Sequence, residues 1–488
     1  MLNEDCALKK SMWASVGLGL RALCRRPLAP CAPQGAAYEI FPGSFADADG
    51  DGLGDLRGVT AKADYIAALG ADAVWLTPIY PSPSYHGYDI TDYCAIRPEM
   101  GTMQDFDRML RALHRRGIRV ILDMVFNHTS TEHPWFRAAA QALAEGKGSP
   151  YIDYYLFTRE PGEKKYAVAG AEGWYYHSEF GYIMPDLNLD SEAVRAELAK
   201  VMRFWLRRGV DGFRLDAVCY FYAGEPEKNT AFLAWLMQTA RAIRRDVYVV
   251  GEAWTDDGEI ARYYDSGIDS LFRFALSGGG GFCGAVREQN GRALAYRLAQ
   301  GVKGTDAPFL SNHDTDRSVC FLPGEIGPRR AAAAAYLFAP GIPYIYYGEE
   351  LGMTGSGRDE NKRLPMVWGE RRFMCLPPKA ADQEQGLKMG VRQQEKEPGS
   401  MLMTYRRLVA LRNAHPEMGS VPPEVIDLGV DAVFGLRWGR TAALINMSGG
   451  PMCFPWGGEA RITAEGGAML EGGYMMLAPW AVAVIEDR

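Results

Sequence analysis

The chain has 488 residues, which is more than one ordinary hydrophobic core organises, unless the fold is a large α/β barrel with attached domains. Its hydrophobic content of 48% and charged content of 23% are those of a globular protein. The net charge of −7 argues against a nucleic-acid partner and against an anionic membrane surface, and it suits a neutral substrate.

The first 35 residues lack the pattern of a folded domain. An apolar stretch from Met12 to Leu20 follows Lys9 and Lys10, an order compatible with a secretion signal. However, arginines follow closely and no small-residue cleavage pattern is present. We therefore predict a disordered extension over residues 1–35, with a secretion signal as the alternative. Nine scattered cysteines without a CxxC motif favour a reducing compartment, so the predicted location is cytoplasmic.

From residue 38 onward, short apolar runs alternate with amphipathic stretches, which is typical of repeated β–α units. The predicted strands are Tyr38–Phe41, Ala73–Thr77, Arg119–Phe126, Gly212–Ala217, Val247–Gly251, Leu271–Phe274, Phe309–Ser311 and Tyr344–Tyr347. The clearest helical patterns are Met103–Arg116, Val194–Arg208, Thr230–Arg244 and Arg329–Phe338. This alternation predicts an α/β fold, a (β/α)₈ TIM barrel.

Two regions depart from the alternation. Residues 129–184, after the third predicted strand, are rich in tyrosine, glycine and charge, and they predict an excursion domain. The barrel is then expected at residues 36–128 and 185–416, ending with a helix at Tyr405–Arg412. Beyond it, short β-like runs between glycine and proline turns predict a C-terminal antiparallel β-sandwich over residues 417–488.

Polar side chains gather at the carboxyl ends of the predicted strands, where the loops of a barrel converge. They are Tyr88 and Asp89 after the second strand, His128 after the third, Arg214 and Asp216 at the end of the fourth, Glu252 after the fifth, and His313 and Asp314 after the seventh. Each taken singly has an ordinary structural explanation. Their placement on successive strand ends predicts instead that Asp216, Glu252 and Asp314 meet over the barrel mouth.

Such a set of carboxylates matches the needs of glycosidic cleavage with retention. One ionised carboxylate attacks the anomeric carbon, while a protonated carboxyl about 5–5.5 Å away donates to the leaving oxygen. Arg214 lies two residues before Asp216 on an extended strand, so both face one side, and its charge favours ionised Asp216. Glu252 stands beside Ala253 and Trp254, an apolar setting expected to raise its pKa and keep it protonated.

Four short sequence segments that contain these strand-end residues together resemble the main conserved segments of the α-amylase family, glycoside hydrolase family 13. They are Asp123–His128, Gly212–Asp216, Gly251–Glu252 and Phe309–Asp314, and three further strings, Gly70–Pro78, Met184–Asn188 and Gly341–Glu350, resemble its subsidiary segments. The resemblance covers residues 36–488 with the motifs in family order. It implies that Asp216 is the nucleophile, Glu252 the acid/base and Asp314 the transition-state stabiliser. The resemblance also implies a lining for the first glucose subsite, formed by Tyr88, Asp89, His128, Arg214 and His313.

An acidic loop follows the first predicted strand. Asp47, Asp49, Asp51 and Asp55 stand at alternating positions of a glycine-containing run, and such spaced oxygen ligands suit Ca²⁺. The twelfth position is Gly58 instead of glutamate, so the loop is not an EF-hand. It is similar to the first-strand calcium loop of the oligosaccharide-acting branch of the family, which implies that the Leu53 carbonyl completes the set. A solvated acidic turn is the alternative.

The residues after Asp216 bear on the substrate. Ala217-Val218-Cys219-Tyr220 lack the Lys-His pair of many endo-acting α-amylases, and Ala217 suits α-1,4 linkages better than the valine usual in isomaltase-like enzymes. The strings Met184–Asn188 and Gly352–Ser356, with Asp359–Arg363, resemble the intermediate bacterial α-amylase subfamily, between oligo-1,6-glucosidases and neopullulanases. We expect Asp359 and Arg363 to reach a second sugar subsite.

The predicted activity is therefore hydrolysis of α-1,4 bonds in maltooligosaccharides or starch fragments. An oligo-1,6-glucosidase, an α-glucosidase or a sugar-transferring relative such as a trehalose synthase is the alternative. A carbohydrate-binding module without activity is more remote, because such relatives lose one or more of the three carboxylates and this chain retains them all.

Overall fold

The structure is a computed structural model that describes residues 33–301 and 305–487. The N-terminal extension predicted for residues 1–35, with its alternative as a signal, lies outside the described residues except for the last three. Among the helices described, none combines the length and the apolar character needed to cross a membrane.

The central feature is a sheet of eight parallel strands that curves into a nearly closed barrel, as predicted. The first strands along the chain are β1 (Ala37–Ile40), β2 (Ala73–Leu76) and β3 (Arg119–Met124), then β4 (Phe157–Thr158), β5 (Lys165–Ala167) and β6 (Tyr175–His177), which form a separate sheet. They are followed by β7 (Gly212–Leu215), β8 (Tyr248–Gly251), β9 (Ser270–Phe272), β10 (Thr305–Ala307) and β11 (Tyr344–Tyr346). In the barrel the order is β10-β9-β8-β7-β3-β2-β1-β11.

The barrel closes through a short seam between β10 and β11. The N–H of Ile342 donates to the Asp306 carbonyl at 2.8 Å, and the N–H of Tyr344 donates to the Pro308 carbonyl at 2.9 Å. An isolated parallel bridge joins Phe309 to Tyr344. The seam thus rests on a few backbone contacts.

The seventh barrel strand is not where the sequence predicted it. We expected Phe309–Ser311, but the strand is Thr305–Ala307, and Phe309 contributes only the bridge to Tyr344. Pro308 separates the two pieces and has no N–H to donate to a ladder. The true strand escaped prediction because it is short and carries Asp306, whose charge is balanced by Arg273.

Inside the barrel, large aromatic side chains fill the space between the strands. Trp75, Phe272, Phe309 and Tyr344 are buried in one interior cluster, with ring centroids 4.8–6.2 Å apart in the contacting pairs. Alternate residues of each strand face inward, and a charged residue at such a position is unusual among these aromatic side chains. Glu39 on β1 is such a position.

Helices surround the barrel and connect its strands. They are α1 (Leu56–Ala61), α2 (Ala63–Leu69), α3 (Met103–His114), α4 (Pro134–Ala144), α5 (Glu192–Arg208), α6 (Pro226–Ile243), α7 (Asp257–Tyr263), α8 (Phe282–Arg287), α9 (Gly291–Gln300), α10 (Ile326–Leu337), α11 (Asp359–Lys362), α12 (Val391–Gln394), α13 (Met401–Ala414) and α14 (Glu417–Ser420). Helix α3 begins with a capping box, in which Thr102 and Asp105 satisfy each other's backbone N–H groups. Every helix that the sequence predicted is present, with ends shifted by up to four residues.

The segment between β3 and β7 carries α4 and the antiparallel sheet β4-β6-β5. Aromatic contacts pack the two together, with the ring of Phe136 on α4 at 4.9 Å from that of Tyr176 on β6. The segment is also tied to the carboxyl end of β3, because Leu187 N–H donates to the Asn127 carbonyl at 2.9 Å. It therefore stands beside the barrel mouth.

The C-terminal region consists of two antiparallel sheets, as expected for the predicted sandwich. Its strands are β12 (Glu424–Val425), β13 (Val433–Trp438), β14 (Thr441–Asn446), β15 (Met452–Pro455), β16 (Ala460–Glu465), β17 (Ala468–Glu471), β18 (Tyr474–Leu477) and β19 (Val482–Asp487). One sheet has the order β12-β13-β14-β19-β16 and the other β15-β18-β17. The predicted β-like runs do not include β12, β15, β16 and β17, and half of the residues in each of these strands are exposed.

Candidate active site

Strand β7 delivers Arg214 and Asp216 to the barrel mouth. Arg214 is buried within the strand, and Asp216 follows its last residue, with the N–H of Asp216 bonded to the Met124 carbonyl of β3 at 3.1 Å. The chain then turns sharply, since Ala217 adopts a left-handed conformation with φ of 48°. A residue that carries a Cβ rarely adopts this backbone conformation, and such strain is often found at functional sites.

The guanidinium of Arg214 joins three carboxyl groups. Its Nη1 lies 2.8 Å from Oδ1 of Asp123 and 2.6 Å from Oδ1 of Asp216, while Nη2 lies 2.9 Å from Oε2 of Glu252. The planar fork of an arginine presents its donors in a fixed arrangement. Asp216 and Glu252, which arrive from neighbouring strands, are therefore held side by side.

Burial dominates the ionisation of this pair. Burial raises the pKa of Asp216 to about 6, although the charge of Arg214 opposes it and that of Asp123 adds to it. Burial likewise raises the pKa of Glu252 to about 7, with Asp216 and Asp314 adding to the effect against Arg214. The sequence predicted that Arg214 would keep Asp216 ionised, and in the structure burial outweighs it. The raised pKa that the sequence predicted for Glu252 is confirmed, although Trp254, one of the apolar neighbours on which that prediction depended, is more than half exposed.

Asp314 is held by two cationic groups. Its Oδ2 lies 3.0 Å from Nε2 of His313, and its Oδ1 accepts a hydrogen bond from Nη2 of Arg363 at 2.7 Å. Burial alone would raise the pKa of Asp314, but the charges of His313 and Arg363 hold it well below its usual range. Asp314 is thus ionised at neutral pH beside the ionisable pair.

A cavity of about 370 Å³ opens above these carboxylates. The predicted site residues that line it are Tyr88, His128, Asp216, Glu252, Asp314, Asp359 and Arg363. His128 is buried, and its Nε2 has no partner among the described residues, so this nitrogen is available to a ligand hydroxyl. Burial lowers the pKa of His128 to about 3, which leaves the ring neutral.

Three predicted sugar contacts lie behind the wall instead of in it. The carboxylate of Asp89 accepts hydrogen bonds from the hydroxyls of Ser82 and Ser84, and Asp89 is buried. Arg214 and His313 are also buried and bind other site residues. None of the three lines the cavity.

Comparison with known proteins identifies the family. A sequence model of the α-amylase catalytic domain matches residues 39–420. The chain belongs to the α-amylase family. Alpha-amylase 3 of Dictyoglomus thermophilum is 40% identical over 394 residues, which are 77% of this chain and 76% of that protein. The oligo-1,6-glucosidase of Parageobacillus thermoglucosidasius is 31% identical over 474 residues, covering 78% of this chain and 83% of that one.

A solved structure supports the same assignment. Eubacterium rectale Amy13B superposes with a TM-score of 0.87 at 37% identity, covering 94% of this chain and 97% of Amy13B. The chain is accordingly a glycoside hydrolase of the α-amylase family, and its cavity is the place where an oligosaccharide is expected to bind.

Two aromatic residues of the cavity wall in this α-amylase family member, Trp254 and Phe180, were not predicted as site residues. Trp254 is 56% exposed and stacks on Phe274 at a centroid distance of 4.4 Å, which leaves its other face open. Phe180 also lines the cavity, with its ring 5.2 Å from that of Tyr220. A tryptophan two residues after a strand-end glutamate is a signal that sequence inspection could have used for Trp254, whereas Phe180 comes from a distant segment.

The acidic loop of the enzyme brings three of its four aspartates together. Asp47, Asp49 and Asp55 each place a carboxylate oxygen within 4.8 Å of the others. Asp51 is outside this group, and its carboxylate accepts the N–H of Leu53 at 2.8 Å. Three clustered carboxylate oxygens on a glycine-containing turn are a donor set that fits Ca²⁺.

Proposed function

We propose that this enzyme hydrolyses α-1,4-glucosidic bonds of maltooligosaccharides or starch fragments with retention of configuration. The observation that carries the mechanism is the sharing of one guanidinium by Asp216 and Glu252 beneath the cavity. Two adjacent carboxyl groups, one nucleophile and one acid, are what a retaining glycosidase needs. The α-1,4 assignment is supported by the similarity to alpha-amylase 3.

In the first step, a carboxylate oxygen of Asp216 forms a bond to the anomeric carbon. The bond from that carbon to the leaving oxygen breaks, and the carboxyl proton of Glu252 passes to that oxygen. In the second step, the Glu252 carboxylate takes a proton from water as the water oxygen attacks the anomeric carbon. The ester to Asp216 breaks, Asp216 regains its charge, and Glu252 is again protonated.

Asp314 stabilises the cationic transition state of each of these steps. Each of its oxygens has one cationic partner, and an oxygen of a carboxylate can accept more than one hydrogen bond. Asp314 therefore retains capacity to accept hydrogen bonds from sugar hydroxyls, and these strengthen as the ring gains positive charge. The Nε2 of His128, which no described residue binds, supplies a further polar contact from the wall.

The assignment is tested with maltotetraose, isomaltotriose and sucrose, followed by NMR. We expect early release of the α-anomer of maltose or glucose from maltotetraose alone. Cleavage confined to isomaltotriose would place the enzyme with the oligo-1,6-glucosidases, a reading that the 31% identical relative favours. Release of β-anomers would contradict retention, and turnover of none of the three would contradict the hydrolytic assignment.

The ionisation of the two carboxyl groups predicts a bell-shaped pH profile for kcat/KM. Asp216 must be ionised, so activity falls below its pKa of about 6, and Glu252 must be protonated, so activity falls above its pKa of about 7. We expect the optimum between these values. An initial-rate series from pH 4 to pH 9 in buffers of constant ionic strength checks this, and an optimum at pH 8 or above would contradict the assignment of Glu252 as the acid.

We also propose that Asp47, Asp49 and Asp55 bind Ca²⁺ in a structural role. The loop is joined to the segment around Leu376, whose N–H donates to the Gly52 carbonyl at 2.7 Å. Ordering the loop therefore also orders that segment. Added Ca²⁺ stabilises the folded chain by about 2.7 kcal/mol at a hundredfold excess over Kd. We expect Tm to rise by several degrees when CaCl₂ replaces EDTA.

The control for this prediction is Asp47→Asn, which keeps the size of the side chain and removes its charge. We expect this variant to lose most of the calcium response, because charge sets the affinity of such sites. An equal rise in Tm for the variant and the wild type would show that Ca²⁺ acts elsewhere and that the loop is a solvated acidic turn.

A further inference from the structure

Glu39 is a buried carboxylate inside the barrel that the proposed mechanism does not use. It lies on β1, is 1% exposed and does not line the cavity. Burying a charge is costly unless a partner of opposite charge compensates for it. The partner is His313, whose Nδ1 lies 2.6 Å from Oε1 of Glu39 and whose backbone N–H reaches the same oxygen at 3.3 Å.

His313 has acidic or hydroxyl oxygens at both ring nitrogens. Its Nε2 lies 3.0 Å from Oδ2 of Asp314 and 2.6 Å from the hydroxyl of Tyr88. An imidazole donates from both nitrogens only when it is protonated. Burial disfavours that cation, but the charges of Asp314 and Glu39 outweigh burial and raise the pKa of His313 to about 10.

The contacts continue from His313 to the proposed nucleophile. The Tyr88 hydroxyl donates to Oδ2 of Asp123 at 3.2 Å, and Oδ1 of Asp123 accepts from Nη1 of Arg214 at 2.8 Å. The same Nη1 binds Asp216. Glu39 is therefore the far end of a hydrogen-bonded series that reaches both Asp314 and Asp216.

We propose that Glu39 is a positioning residue that acts through His313, holding it as a cation directed at Asp314 and Tyr88. With Glu39 in place, the Nε2–H of His313 keeps the Asp314 carboxylate ionised and oriented toward the cavity. A carboxylate that accepts the Nδ1–H of a histidine fixes the orientation of the ring and makes the other ring nitrogen more basic. This inference deepens the proposed function and rests on the role proposed there for Asp314.

The groups around His313 come from several elements. Glu39 faces it from β1, Trp75 contacts its ring edge from β2, Tyr88 stacks on it at 5.5 Å, and Asp314 is its neighbour in the chain. Arg363 binds the backbone carbonyl of His313 and one oxygen of Asp314. Of these, Glu39 is the negative charge that touches His313 without touching the cavity.

The test is Glu39→Gln, which preserves shape and an acceptor for Nδ1–H but removes the charge. We expect the pKa of His313 to fall below that of Glu252, so that loss of the His313 proton, and no longer that of Glu252, limits activity as the pH rises. The variant should lose about 10²-fold in kcat at neutral pH with little change in KM, as for loss of an interaction made in the transition state. Its alkaline limb in the pH profile should move to lower pH.

Two variants separate this role from a structural one. Glu39→Asp keeps the charge, so we expect a lower kcat with the pH limbs of the wild type. Glu350→Gln removes another buried carboxylate, one that accepts hydrogen bonds from Tyr38 and Tyr65 at 2.6 and 2.5 Å and does not contact His313. We expect it to lower Tm and to leave the pH limbs unchanged.

The rates are measured on whichever of maltotetraose or isomaltotriose the wild type cleaves. Failure of the α-1,4 proposal then shows in the wild type alone and leaves the comparison of variants intact. An alkaline limb in Glu39→Gln identical to that of the wild type would overturn the inference. So would an equal shift in Glu350→Gln or, if Glu39→Gln does not fold, a shifted limb in Glu39→Asp.

Discussion

Replacing Asp216 by asparagine (Asp216→Asn) is expected to lower kcat by about 10⁴-fold or more on every α-glucoside that the enzyme cleaves. The amide cannot form the glycosyl ester, so activity should be lost on substrates with good and with poor leaving groups alike. The fold should persist, because the amide oxygen still accepts a hydrogen bond from Arg214, which now holds Asp216 at 2.6 Å. Steady-state rates on maltotetraose and on an α-glucosyl fluoride, with Tm as the check on folding, measure this.

The matched control is Glu252→Gln, which removes the proposed acid and leaves the nucleophile. A fluoride leaves without protonation, so we expect this variant to lose far less activity in the first step on α-glucosyl fluoride than on maltotetraose. The pre-steady-state release of fluoride isolates that step. Equal losses on both substrates would contradict the role assigned to Glu252, and a sizeable residual rate in Asp216→Asn would contradict that of Asp216.

Removing the charge of Arg214 is expected to destabilise the protein by about 3–5 kcal/mol at pH 7, the usual cost of leaving a buried charge uncompensated. In Arg214→Met, the carboxyl groups of Asp123, Asp216 and Glu252 lose the cation that they share. Their pKa values then rise further above those of the unfolded chain. Activity should disappear as well, because the nucleophile and the acid lose their common anchor.

The pH dependence of this loss identifies its cause. A carboxyl group whose pKa is raised by folding binds more protons folded than unfolded, so its cost to stability grows as the pH rises. The deficit of Arg214→Met should therefore be larger at pH 7 than at pH 5 in urea unfolding. A deficit equal at both pH values would point to lost packing. Arg214→Lys keeps a charge but not the fork, and should recover part of the stability but little of the activity.

The barrel was predictable because most of its strands are apolar runs ending in polar residues. Strand β7 illustrates this, with Gly212–Leu215 in the sheet and Asp216 directly after it. Strand β10 was missed for the opposite reason, because it carries a charged residue, Asp306, whose partner Arg273 lies 33 residues earlier in the sequence. Local pattern carries no information about such pairing.

The chemical groups of the site were also predictable, as was the raised pKa of Glu252, but the rest of their environment was not. Residues at strand ends converge by the geometry of any barrel, which brought Asp216, Glu252 and Asp314 together. The walls formed by Phe180 and Trp254 depend on how long loops fold. The pKa of Asp216 depends on how deeply the carboxyl group is buried, and here the effect of burial outweighs that of the neighbouring arginine. Neither quantity can be read from spacing along the chain.

The short seam between β10 and β11 has a consequence for how the enzyme loses activity on heating. Local opening starts where few backbone hydrogen bonds must break, and the seam relies on those of Ile342 and Tyr344. Asp314 lies only a few residues beyond β10, so separation of the seam displaces it before the remaining strands part. Thermal inactivation is thus expected to precede the loss of helical circular dichroism, and strengthening this seam is a route to a longer half-life.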